Sequence, residues 1–172
     1  MITSVIGRDG RWLLGGFLAL LALTVSAPAG GQPGRLDQAG LRTMLGTLGY
    51  QPHETRNESG VEYEIVLRPT DGRAITTRVT LSKDGSFVWL VAWLKRVPPG
   101  RTISGNAVLG MLEENDVIGP THFSYNESRR WFFLNRPIAN VDLTPERLRG
   151  EIASLGSTVV RTEALWDPDR WK

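Results

Sequence analysis

The sequence contains no cysteine, only two histidines in 172 residues, and a single long uncharged run. Without cysteine there is no disulfide framework, thiolate zinc site, iron–sulfur cluster, cysteine nucleophile or lipidated N-terminal cysteine. His53 and His122 alone cannot furnish most metal or general-base constellations. No glycine-rich phosphate loop, G-x-S-x-G elbow or H-E-x-x-H segment occurs. An excess of one charge sign is also lacking: 20 basic and 18 acidic groups leave +2, with no clustered basic stripe of the kind nucleic-acid binders carry. The expectation is therefore no catalytic residues, no cofactor, no metal and no nucleic-acid partner.

What is present reads as an exported globular chain. Hydrophobic residues make up 41% and charged residues 22%, ordinary for a domain with a real core. Residues 1–29 have the layout of a secretory signal peptide. Arg8 and Arg11 flank Asp9, Trp12 to Val25 is uncharged and rich in Leu and Ala, and Ala27-Pro28-Ala29 offers small residues for cleavage before Gly30. The run falls short of the roughly 20 apolar residues of a transmembrane helix. An uncleaved membrane anchor shares the same pattern and is the alternative. Removing Arg8, Arg11 and Asp9 from the 20 basic and 18 acidic groups leaves 18 and 17. Residues 30–35, opening G-G-Q-P-G, form a linker. A single domain is expected over 36–168, with a short tail at 169–172. The predicted location is periplasmic or extracellular.

Within the domain, Leu41, Met44, Leu45 and Leu48 share one helical face before Gly49. Val61, Tyr63, Ile65 and Leu67 alternate with Glu62 and Glu64, as in a half-buried strand. Ile75, Thr77, Val79 and Leu81 alternate again, and Lys83-Asp84-Gly85-Ser86 signals a tight hairpin. The strand from Phe87 to Leu94 is apolar on both faces, so it must be central and covered twice, or have one face free for a partner. Ser104 or Asn106 caps a second helix carrying Val108, Met111 and Leu112. Thr121–Asn126 and Arg130–Asn135 read as another hairpin. Thr144, Pro145 and Glu146 open a final helix carrying Leu148, Ile152, Leu155, Val159 and Trp166, with Gly156 as its weak point. The fold class is α+β: an antiparallel sheet of about five strands with three helices, in the order α-β-β-β-α-β-β-α.

An internal duplication is one reading of Met44-Leu45, Pro52, His53, Asn57-Glu58-Ser59 and Arg68-Pro69. They recur as Met111-Leu112, Pro120, His122, Asn126-Glu127-Ser128 and Arg136-Pro137. Coincidence within similar secondary structure is the other. The paired histidines are expected at strand starts on the surface rather than on a metal. The two N-E-S tripeptides are expected as turns. Glu62/Glu64 and Glu113-Glu114-Asp116 are expected as solvated charge. Residues 68–101 hold seven basic and two acidic groups, and residues 102–128 hold none and four, which suggests mutual neutralisation of the two segments.

The aromatic residues are the strongest interaction candidates. Trp89 and Trp93 share one strand face, as do Trp131 and Phe133. Most such residues belong to a core. A groove or a homodimer seam is the functional alternative, and 17 arginines among the 20 basic residues suit such a seam.

The layout, together with R-W-F-F-L-N at 130–135, Val141-Asp142-Leu143 and T-P-E-R-L at 144–148, resembles the YbjN-like family and its type III secretion chaperone-like fold over about residues 36–168. The resemblance implies a small, often dimeric α+β domain that binds other proteins and has no recognised catalytic residues. YbjN-like domains are described as sensory-transduction regulators, and secretion chaperones hold partly unfolded chains. The export signal sets this chain apart from cytosolic secretion chaperones, so the fold and a protein-binding habit are what carry over. The expected function is an exported, non-enzymatic interaction or chaperone-like domain whose partner is a protein or a second copy. The alternative is a small-ligand carrier or weak hydrolase with an aromatic pocket beneath the sheet.

Overall fold

The computed structural model describes residues 34–57 and 60–171. The expected signal segment, its cleavage site and most of the linker lie outside the described residues, as do Glu58 and Ser59 of the first N-E-S tripeptide. No helix among the described residues is long and apolar enough to cross a membrane.

The elements follow as α1 (Gln38–Thr47), β1 (His53–Asn57), β2 (Gly60–Leu67), β3 (Ile75–Leu81), β4 (Phe87–Arg96), α2 (Gly105–Val117), β5 (His122–Asn126), β6 (Trp131–Ala139), α3 (Pro145–Arg161) and the short α4 (Glu163–Trp166). All six strands form one antiparallel sheet in the order β1-β2-β3-β4-β6-β5. The α+β class stands, with six strands where about five were expected. The additional strand is β1. Its sequence, His-Glu-Thr-Arg-Asn, has no apolar alternation because it is an edge strand, held by backbone pairing to β2 and guarded by charge.

Alternation decides which side of the sheet is buried. Tyr63, Ile65, Leu67, Val79, Leu90 and Leu134 point to one face and are 3% exposed or less. Against that face α3 crosses β4 and β6, α2 lies beside β5, and α1 packs on α3. The hydroxyl of Thr144 accepts from the Arg147 N–H at 3.2 Å, which caps α3 at its expected start. Leu148, Ile152, Leu155 and Val159 are then buried, each contributing on the order of 2 kcal/mol by leaving water. Ser104, one of the two proposed caps, opens α2 by accepting from the Ala107 N–H. The helical pattern that reached Trp166 is interrupted at Thr162. Trp166 lies on α4, where its indole donates to the Val159 carbonyl at 3.0 Å.

The chain continues to pack beyond residue 168. Asp169 accepts from Lys95 at 2.7 Å, and the Trp171 indole donates to the Leu165 carbonyl at 2.8 Å. At the other end, Gly34 and Leu36 are tied to the loop after β6.

The helix–hairpin order does recur. His53 and His122 each begin a five-residue edge strand that ends in Asn57 or Asn126. Register separates the rest. His53 faces Glu64 and His122 faces Asn135, so Arg136 corresponds to Ile65 and not to Arg68. Arg136 lies within β6 and bonds Thr121 at 2.5 Å and Glu151, whereas Arg68 follows the end of β2.

Candidate functional site: the open aromatic face

The opposite face of the sheet carries no helix among the described residues. Backbone pairing sets its cross-strand rows. One row runs Glu62, Thr80, Trp89, Pro137 and the next runs Glu64, Arg78, Val91, Asn135, His122. A third brings Trp93, Phe133 and Ser124 into line. Strand β4, apolar on both sides, is thus buried through Val88, Leu90 and Ala92. Its other side, Phe87, Trp89, Val91 and Trp93, stays at least partly exposed.

Trp93 is the centre of this face. It meets Trp131 edge-on at 5.4 Å between ring centroids and Phe133 edge-on at 5.3 Å. Such T-shaped pairs add about 0.5–1.5 kcal/mol beyond area burial. Two cations address the same ring: the Arg78 guanidinium at 4.9 Å and that of Arg129 at 5.8 Å. Glu62 holds Arg78 in place at 2.8 Å. The indole N–H groups of Trp93 and Trp131 are buried and have no acceptor among the described residues, which a fully optimised core would avoid. Beside them lies a shallow depression of about 360 Å³, edged by Val91, Ser124 and Asn135.

The structure therefore brings Trp93, Trp131 and Phe133 together and sets Trp89 apart. Trp89 lies four residues along β4 and meets His122 edge-on at 6.2 Å. The quartet borders the open face. The core beneath the sheet is filled mainly by aliphatic side chains, with Tyr63, Phe123, Phe132 and Trp166 as its buried aromatic members. Sequence reading did not include Arg78, Arg129 or His122 in this cluster. Arg78 sits on the polar side of an alternating strand, and only the pairing of β3 with β4 shows that this side and the tryptophan side coincide.

Other expectations change. Glu62 is 6% exposed and paired, not solvated. The basic residues of 68–101 are not neutralised by 102–128. Arg73 pairs with Asp71 and Glu163, Lys95 with Asp167 and Asp169, and Glu114 with Arg161. His53 and His122 occupy opposite edge strands, so no ion can bridge them. Asn126 forms a turn as expected, its Oδ1 accepting from the Ser128 hydroxyl and the Arg129 N–H, each at 2.9 Å.

Helix α2 presents a second apolar strip. Leu112 was expected inside but is 56% exposed, and Leu109 and Val117 are more exposed still. Met111 faces inward as expected, joined by Ala107.

No protein-family model matches this sequence. No curated protein matches it either. Solved structures do resemble it, including one that shares its fold. A chain from the HopA1–SchA chaperone–effector complex superposes with a TM-score of 0.52 at 14% identity, covering 70% of this chain and 88% of that one. The heterodimeric ExoU–SpcU complex from the type III secretion system of Pseudomonas aeruginosa gives 0.49 at 18% identity, covering 74% and 98%. At this identity the likeness concerns the fold: the described domain is an α+β unit of chaperone-like architecture.

Proposed function

We propose that the chain is an exported, non-enzymatic, chaperone-like domain that docks a polypeptide partner on the open face of its sheet. The observation that carries this reading is the aromatic and cationic cluster around Trp93, left uncovered by any helix among the described residues. Trp, Tyr and Arg are the residues enriched among those that carry binding energy at protein interfaces. Kinship with YbjN-like domains belongs to the same proposal. So does export, which rests on residues 1–29 and is checked by N-terminal sequencing of the mature protein. A start at Gly30 is expected, and a start at Met1 would mean an anchored chain.

Self-association forms the second part of the reading. The surface offered for a homodimer is the exposed strip Leu109, Leu112 and Val117 on α2. The defining test is direct binding of a labelled unfolded polypeptide, reduced carboxymethylated α-lactalbumin, with the aromatic residues replaced in turn. Loss of binding in folded Trp93 or Phe133 variants supports docking on this face.

A further inference from the structure

Between α3 and the β2–β3 turn lies a groove of about 440 Å³ on the other side of the molecule from the aromatic cluster. That volume falls in the range of small-molecule pockets, roughly 300–1,000 Å³. One wall is a stripe along α3, where Arg149, Ile152, Gly156 and Val160 recur at helical spacing. Arg68, Pro69 and Thr70 form the other wall. Tyr50 closes one end, and its placement follows from the way α1 terminates. Gly49 takes φ +89, its N–H donates to the Gly46 carbonyl, and the Tyr50 N–H donates to the Leu45 carbonyl at 3.1 Å.

Two features say what such a groove accepts. The first is charge. Asp71 and Glu163 are spent on Arg73, Glu151 on Arg136 and Glu114 on Arg161. Arg68 and Arg149 have no carboxylate partner among the described residues, and no acidic side chain lines the groove. Burial raises the Tyr50 pKa above its ordinary value, partly offset by Arg149, so its hydroxyl stays a neutral donor. The second is the lack of backbone partners. The α3 amides are used within the helix, Pro69 has no N–H, and its carbonyl accepts from Gly72 at 2.9 Å. An extended peptide therefore finds few main-chain partners along α3 and at Pro69. A ligand with one anionic head and an apolar body needs none.

We propose that this groove binds a single-chain anionic amphiphile. The guanidinium groups of Arg68 and Arg149 take the head, and Leu67, Pro69, Ile152 and Val160 receive the chain. The site is independent of the protein-docking face.

The test titrates the full chain with dodecanoate, dodecyl phosphate and neutral dodecanol, following amide shifts by nuclear magnetic resonance. Both anions should shift Thr70, Gly156 and Ser157, and dodecanol should bind at least about tenfold more weakly. If only one anion binds, the head group is thereby assigned. The double variant Arg68→Gln, Arg149→Gln should lose about tenfold in affinity for the anions. Gly156→Leu should abolish binding, because a Cβ there already lies 3.6 Å from Pro69 Cγ and a longer side chain fills the groove. Should Gly156→Leu fail to fold, the arginine pair decides the question. Equal binding of dodecanol, anion binding unchanged in the arginine variant, shifts confined to other regions, or no binding at millimolar amphiphile would each overturn the proposal. Loss of binding in Trp93→Ala with none in the arginine variant would relocate the ligand to the aromatic face and overturn it equally.

Discussion

Asn140 is fully buried and serves as a joint among three chain segments. Its Oδ1 accepts from the Leu36 N–H at 3.1 Å, and its Nδ2 donates to the carbonyls of Leu36 and Gly85 at 2.8 and 2.9 Å. Asn140→Ala strands those groups away from water. The expected cost is about 3 kcal/mol, read as a fall in Tm of roughly 6–12 °C. Asp84 acts at the surface. Its carboxylate accepts from the hydroxyls of Ser82 and Ser86, each at 2.6 Å, and from the Ser86 N–H at 3.0 Å, which holds its pKa well below the ordinary carboxylate value. Hydrogen bonding from Arg73 lowers Asp71, and Lys95 lowers Asp169, in the same direction. A carboxyl whose pKa falls on folding stabilises above its unfolded value, near 3.9, and loses that contribution as pH drops through the folded value. Thermal midpoints should therefore hold from about pH 7 to pH 5 and decline below about pH 4. Asp84→Asn should lower the midpoint at pH 7, and its gap to the wild type should narrow steadily as pH falls below about 4. Parallel curves for the two proteins would contradict the role given to Asp84.

At the scale of elements, legibility followed the balance between local pattern and tertiary context. Helix α3 could be read because its cap, its proline and its apolar stripe agree with one another, so Leu155→Ala is expected to cost about 2–5 kcal/mol by denaturant unfolding. Strand β1 was legible only through its likeness to the segment after α2, which put His53 at a strand start, since its stability comes from pairing with β2 and not from its own side chains. Helix α2 is legible in part: Val108 and Met111 pack inward as expected, and Leu112 does not. Its apolar residues surround most of the helix, and local periodicity cannot choose among them; packing selected Met111 and left Leu112 outside. If that surplus is a self-association strip, light scattering should show a dimer that Leu112→Glu converts to a monomer. A wild-type monomer at high concentration would remove α2 from the account. The aromatic quartet was legible as residues but not as an arrangement. Period-two spacing put each pair on a strand face, whereas the meeting of Trp93 with Trp131 and Phe133, and the exclusion of Trp89, depend on the β4–β6 register.

At the scale of the whole molecule, three layers of information converge on one surface. The helices cover one face of a six-stranded sheet and leave the other bearing half-exposed rings, two cations and two idle indole donors. The absence of cysteine means that this architecture stands without a disulfide, on its core, its hydrogen bonds and its ion pairs. A chaperone-like α+β fold supplies the frame, and the aromatic cluster gives that frame something to hold. The most direct measurement is the affinity of the full chain for labelled, reduced carboxymethylated α-lactalbumin, compared with that of Trp93→Ser, Phe133→Ser. The account predicts saturable binding by the wild type and a loss of at least about tenfold in the double variant, with its circular dichroism spectrum unchanged. A folded double variant that binds the polypeptide as tightly as the wild type would contradict it.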